Sequence, residues 1–213
     1  MELDRTVQRC TVDHMTTTPM TERGIATRGR IVSTAADLIL ERGARGTSLD
    51  DIRAATKTSK SQLFHYFPGG KSDLVDAVAT LQAERVLEAQ RPFLDHLDTW
   101  ESWLGWRDAL LAYYETQPLG CPIGALSAEL ARTDPDHAAT VIAHMERWRS
   151  YLEAGLARMV DTDLLQPSID PRFLSMKIFS ALHGGLALMT MFESVEPLRA
   201  GLDAGLAALR EAA

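Results

Sequence analysis

The sequence predicts an all-α protein, a small amino-terminal three-helix unit on a larger helical body. Three observations carry this. Sustained period-two alternation of β-branched and aromatic residues is missing, whereas apolar residues recur at three- and four-residue steps from Ile31 to Leu209. Ser48 and Ser59 stand where side chains would cap helix starts. Breakers follow the apolar stretches at Gly43, Pro68-Gly69-Gly70, Pro92, Pro118–Pro122 and Asp134-Pro135.

The elements follow in order. Ile31, Ala35, Leu38 and Ile39 form the stripe of a first helix from about Thr27 to Arg42, which Gly43 ends. Ser48 opens a short second helix. Asp51, three residues on, stands as a shortened capping-box partner, and Leu49, Ile52 and Ala55 face inward. After Thr56-Lys57-Thr58, Ser59 opens a third short helix ending near Tyr66, anchored by Leu63 and Phe67. Longer helices are expected at about 72–89, 99–116, 123–132 and 136–159, then at 172–192 and 196–211.

Composition excludes several classes of function. At 46% hydrophobic and 24% charged residues, the 213-residue chain resembles an ordinary globular protein. It has no run of 18 apolar residues, so no membrane partnership is expected. Residues 1–26 lack a secretory signal and read as a polar, disordered tail containing Thr16, Thr17 and Thr18. Only Cys10 and Cys121 occur, no disulfide framework, and a cytoplasmic location follows as the expectation. The six histidines show no metal-binding spacing and there is no nucleophile elbow, so neither a metal, a cofactor nor an enzyme activity is expected.

Charge points elsewhere. The formal net charge is −7, which taken alone disfavours nucleic acid. Yet residues 27–71 hold eight basic and four acidic side chains, an excess of +4 that leaves −11 on the rest. A basic module on an acidic body would orient the protein toward a phosphate backbone.

The two short helices have the form of a helix-turn-helix. The second keeps Leu63 inward and presents Lys60, Ser61, Gln62 and His65 outward. Lys60 can neutralise a phosphate, and Gln62 can both donate to and accept from an adenine edge. Thr47–Ile52, then Ser59–Pro68, then Lys71 and Leu74 resemble in order and spacing the signature of the TetR family, the tetracycline-repressor-like regulators. The resemblance covers Arg28–Val78.

That resemblance implies double-stranded operator DNA as a partner. It places Ser48 and Lys71 at phosphates, and Thr58, Ser59, Lys60, Ser61 and Gln62 at the exposed leading end of the recognition helix. His65 and Tyr66 fall where bases or backbone are touched. Three departures stand out: Arg53 for a small residue, Lys57 for the turn glycine, and Phe64 for a tyrosine at this DNA-facing position.

For residues 72–213 the resemblance implies an effector-binding and dimerisation domain, hence a small-molecule effector and a homodimer. Phe173, Met176, Phe179, Leu182, Leu186 and Met189, with Leu198, Leu202, Leu206 and Leu209, fit either a subunit interface or an internal core. Trp103, Trp106, Tyr113, Met145, Trp148 and His183 are candidate effector contacts, although aromatics at helical spacing also make core. Cys121 is a further candidate, and a redox or electrophile sensor acting through it is the alternative trigger.

Overall fold

The computed structural model describes residues 20–116 and 135–213. Among the described residues the chain forms eight α-helices and no strand. They are α1 (Glu22–Gly46), α2 (Leu49–Thr56), α3 (Lys60–Tyr66), α4 (Lys71–Glu88), α5 (Trp100–Glu115), α6 (Pro135–Asp161), α7 (Pro171–Phe192) and α8 (Glu196–Arg210). A 3₁₀ turn at Phe93–His96, which periodicity did not foresee, joins α4 to α5. The helix expected at 123–132 and Cys121 lie outside the described residues.

α1 begins at Glu22, five residues before the expected Thr27, so residues 22–26 are helix and not tail. The Thr21 hydroxyl accepts the Gly24 N–H at 3.2 Å, and Glu22 suits the positive end of the helix dipole. This added turn is exposed, Ile25 included, and therefore leaves no apolar periodicity to read. At the other end Gly43 takes φ 75° and ψ 161°, a backbone state open to glycine, and breaks the helix where expected. The Thr47 hydroxyl then donates to the carbonyls of Gly43 (2.9 Å) and Leu38 (3.2 Å).

Ile31, Ala35 and Ile39 of α1 pack toward α4, whose buried face includes Val75, Val78 and Val86. α4 thus belongs to the amino-terminal unit at one end and to the body at the other. The Arg147 guanidinium pairs with Glu84, tying α6 to α4. Arg149, almost wholly buried, bonds Glu146 (2.8 Å), Glu153 (2.6 Å) and Ser175 Oγ (2.9 Å), and so ties α6 to α7.

α7 and α8 form a close pair. A Cβ on Gly201 would lie 2.4 Å from the Ala181 carbonyl oxygen, and one on Gly185 would lie 2.8 Å from Leu198 Cα. Leu198, Leu202, Leu206 and Leu209 are all buried within the chain, as are Leu182, Leu186 and Met189. The leucine row of α8 is therefore internal core. By length and apolar composition α7 could cross a bilayer, but its buried face packs against α6 and α8.

The deepest polar contact sits where α4 ends. Gln90 is fully buried, and its Oε1 accepts both the Trp106 indole N–H (2.7 Å) and the Trp148 indole N–H (2.8 Å). Its own amide donates to the Val86 carbonyl at 2.6 Å. Replacing Gln90 by leucine strands two buried donors, each costing about 1–3 kcal/mol. Chemical denaturation of Gln90→Leu should show a loss of about 2–4 kcal/mol, and Trp106→Phe should lose less, since Trp148 then keeps its acceptor. A Gln90→Leu loss under about 1 kcal/mol would contradict this account of the clasp.

Candidate nucleic-acid interface

Local capping defines both short helices. Ser48 Oγ accepts the Asp51 N–H at 3.1 Å and Asp51 Oδ2 accepts the Ser48 N–H at 2.9 Å, a reciprocal box. Hydrogen bonds from the Ser48 hydroxyl and backbone hold the Asp51 carboxyl below its usual range, so the box is ionised at neutral pH. Ser59 Oγ accepts the Gln62 N–H at 3.1 Å and starts α3. Between them Lys57 adopts φ 52° and ψ 38°, the left-handed turn expected where a glycine would be usual. Leu49 and Ile52 face inward, but Ala55 is exposed and Thr56 takes the buried place, its hydroxyl donating to the Ile52 carbonyl at 2.7 Å.

The outer face of α3 carries most of the expected DNA-reading residues. Ser59, Lys60, Ser61, Gln62 and His65 are exposed, Phe64 is 38% exposed, and Tyr66 is half-buried. Leu63 and Phe67 hold the inner side, both buried. Phe64 leans on Gly70, close enough that a Cβ there would meet its ring at 3.3 Å. Lys71, half-buried, is the first residue of α4.

Two expectations change. Thr58 is only 5% exposed, with its hydroxyl turned to the Thr56 carbonyl at 3.4 Å, so it does not belong to the exposed leading end of α3. Ser48 is exposed, but its hydroxyl is engaged with Asp51 in the helix cap.

Electrostatically, several basic groups of this unit are already committed. Arg53 pairs with Asp50 at 2.6 Å, Arg42 with Glu41 at 3.4 Å, and the Arg28 guanidinium lies 5.2 Å from the Phe67 ring centroid. Arg30 donates across to the Thr56 carbonyl, pinning the end of α2 to α1. That contact gave no sequence signal, because Arg30 lies on the exposed side of α1. Lys57, Lys60 and Lys71 make no ion pair among the described residues, which leaves three cations around α3 for an anionic partner. Lys57 belongs to the basic excess of residues 27–71 but is not among the candidate DNA contacts that the family resemblance implies.

Two family models match. One, described as bacterial regulatory proteins of the tetR family, covers residues 31–78. The other, described as a tetracyclin repressor-like C-terminal domain, covers residues 103–204. The chain is also 30% identical over 182 residues to an uncharacterised HTH-type transcriptional regulator of Mycobacterium tuberculosis (strain ATCC 25618 / H37Rv), spanning 80% of this chain and 88% of that protein. The chain belongs to the TetR family. Among solved structures, a TetR transcriptional regulator from Chloroflexus aurantiacus J-10-FL aligns with a TM-score of 0.76 at 26% identity, covering 90% of this chain and 98% of that one. An uncharacterised HTH-type regulator of Lactococcus lactis subsp. lactis is 25% identical over 186 residues, 83% of this chain and 90% of that protein.

As a TetR-family protein the chain is a DNA-binding transcriptional regulator. Its body departs from the expected effector contacts. Trp103, Trp106 and Trp148 are buried with internally satisfied indoles, Trp103 donating to Met159 Sδ at 3.1 Å and the others to Gln90. Trp106 and Trp148 are core, whereas Trp103, though buried, also borders a cavity of about 260 Å³ with Trp100, Leu104, Leu206 and Arg210. Tyr113 and Met145 are half-buried beside that core. The His183 ring lies tilted against Phe179, centroids 4.1 Å apart, and edge-on to Trp148 at 5.3 Å.

The cap and turn give a direct test of the reading unit. Ser48→Ala should cost about 1 kcal/mol, or roughly 2–4 °C in Tm for a chain of this size. Lys57→Gly should hold or raise Tm by relieving left-handed strain, whereas Lys57→Val should lower it. Equal losses from both Lys57 variants would show that the turn does not depend on its left-handed backbone.

Proposed function

We propose that this chain is a cytoplasmic homodimeric repressor that reads double-stranded operator DNA through α3 and is released by a small-molecule effector. The observation that carries the reading is the outer face of α3, with Lys60, Ser61, Gln62 and His65 exposed over a buried Leu63. Gln62 has an amide suited to bidentate pairing with adenine, while Lys57, Lys60 and Lys71 are suited to phosphates. His65, Phe64 and Tyr66 flank that row.

Dimerisation is supported by a second exposed face. Phe173, Met176, Leu188, Met191 and Phe192 of α7 remain exposed, Met191 at 76%. Gly184 lies along the same helix with open space around the position of a Cβ. An exposed mid-helix glycine costs helix stability and is suited to a close neighbour from a second subunit. A two-fold operator needs two reading heads. The double variant Leu188→Glu/Met191→Glu should shift the protein from dimer to monomer in light scattering. A dimer that persists in that variant would remove α7 from the interface.

For the effector, His183 offers the best-placed polar group. Its Nδ1–H donates to the Phe179 carbonyl at 3.0 Å, so Nε2 is an acceptor, and it is buried without a hydrogen-bond partner among the described residues. Burial lowers its pKa and keeps the ring neutral at pH 7. An effector with an N–H or O–H donor and a greasy body would fit beside Phe179 and Trp148. The alternative trigger, oxidation of Cys121, separates cleanly: Cys121→Ser keeps the response under the effector reading and loses it under the redox one.

DNA binding is tested on the sequence flanking the protein's own gene. Gln62→Ala should relax sequence preference by a discrimination of about 1–3 kcal/mol. Lys71→Ala should weaken all DNA about equally and reduce the salt slope by about one. Identical behaviour of the two variants would overturn this division of roles.

A further inference from the structure

Phe64 is out of character with its surroundings. From α2 to α4 it is the one exposed large apolar side chain among the described residues, set among Lys60, Ser61, Gln62 and His65 on the outer face of α3. Lys60 and Ser61 stand four and three residues before it and so share its side of the helix. A phenyl ring offers neither a donor nor an acceptor, and where tyrosine would be usual the chain has dropped the hydroxyl. In the free protein this exposure only leaves apolar area in water.

The ring is held in place. A Cβ on Gly70 would lie 3.3 Å from Phe64 Cε1 and 3.6 Å from Leu49 Cδ1, so the ring and the leucine flank the same glycine. Gly70 is buried and takes φ 70°, with no side chain to displace the ring. One edge of Phe64 therefore rests on the loop before α4, and the exposed remainder stands beside Lys60 and Ser61.

The major groove offers such a surface one match. Its base edges present hydrogen-bond donors and acceptors, and the apolar group among them is the thymine C5-methyl. Burying a methyl against the ring is worth about fourfold in affinity. A deoxyribose would also cover the ring, but every nucleotide carries one, so that contact confers no preference.

We infer that Phe64 is a specificity-determining residue whose ring packs on a thymine methyl of the operator, a role that rests on the proposed reading of DNA by α3. Gln62 then reads by hydrogen bonds, the lysines hold phosphates, and Phe64 adds a contact that separates thymine from cytosine.

Uracil isolates that contact, because it keeps every hydrogen-bonding group of thymine and lacks only the methyl. The segment flanking the protein's own gene is made once with thymine and once with uracil throughout. Both, with a shuffled thymine duplex, are titrated with the full chain at one salt concentration. Wild type should bind the uracil segment about fourfold or more weakly than the thymine segment. Phe64→Ala should bind the thymine segment at that weakened level, with a thymine-to-uracil ratio near one. Phe64→Tyr, which keeps the ring, should retain the ratio. Equal binding of wild type to both segments, with preference over the shuffled duplex kept, overturns the inference and leaves the DNA reading standing. A full ratio in Phe64→Ala overturns it too, by assigning the methyl to another residue. No preference of wild type for the thymine segment over the shuffled duplex removes the DNA reading and this inference with it. The wild-type comparison needs no variant, so it decides even where Phe64→Ala disturbs α3.

Discussion

Two indole N–H groups converge on one amide oxygen at Gln90, and the geometry of the rest of the molecule depends on that point. α4 starts at Lys71, beside the recognition helix, and runs 18 residues, about 27 Å, to within two residues of Gln90. Its far end is therefore fixed to α5 through Trp106 and to α6 through Trp148. Its near end carries the reading unit, because α1 packs along it. Whatever alters the seat of α4 in the body alters where α3 points. A rigid lever of this kind converts a small change in core packing into a displacement at the DNA-facing end.

The charge pattern complements the lever. An excess of +4 on residues 27–71 opposes −11 elsewhere, so the field turns the reading unit toward the phosphates and the body away. Internal pairing consumes much of the basic content. Arg53 and Arg42 are in ion pairs, and Arg28 and Arg30 brace α1 against α2 and α3. The three lysines therefore give the unit its usable charge, one in the left-handed turn and one at the start of each of α3 and α4.

How much of this was legible in the sequence depends on the range of the interactions. The reading unit was legible because its determinants are local. Ser48 with Asp51, and Ser59 with Gln62, act within four residues, and the TetR-like signature is a contiguous pattern. The first turn of α1 was missed because a single hydroxyl cap holds it, with no buried face. Thr58 was misplaced because burial is decided by packing against the rest of the unit, not by its distance from Ser59. In the body, aromatic spacing could not separate core from cavity. Only the shared acceptor at Gln90 shows that Trp106 and Trp148 are internally satisfied. The α8 leucines left the same ambiguity, which the close α7–α8 contact at Gly201 resolves in favour of the core.

The most direct test of the central claim compares two DNAs over a range of salt concentrations: the segment flanking the protein's own gene and a shuffled duplex of equal composition. The account predicts steep salt dependence for both, and a preference for the native segment of about 10³ or more at physiological salt. A ratio near one across that range would contradict a sequence-reading role for α3.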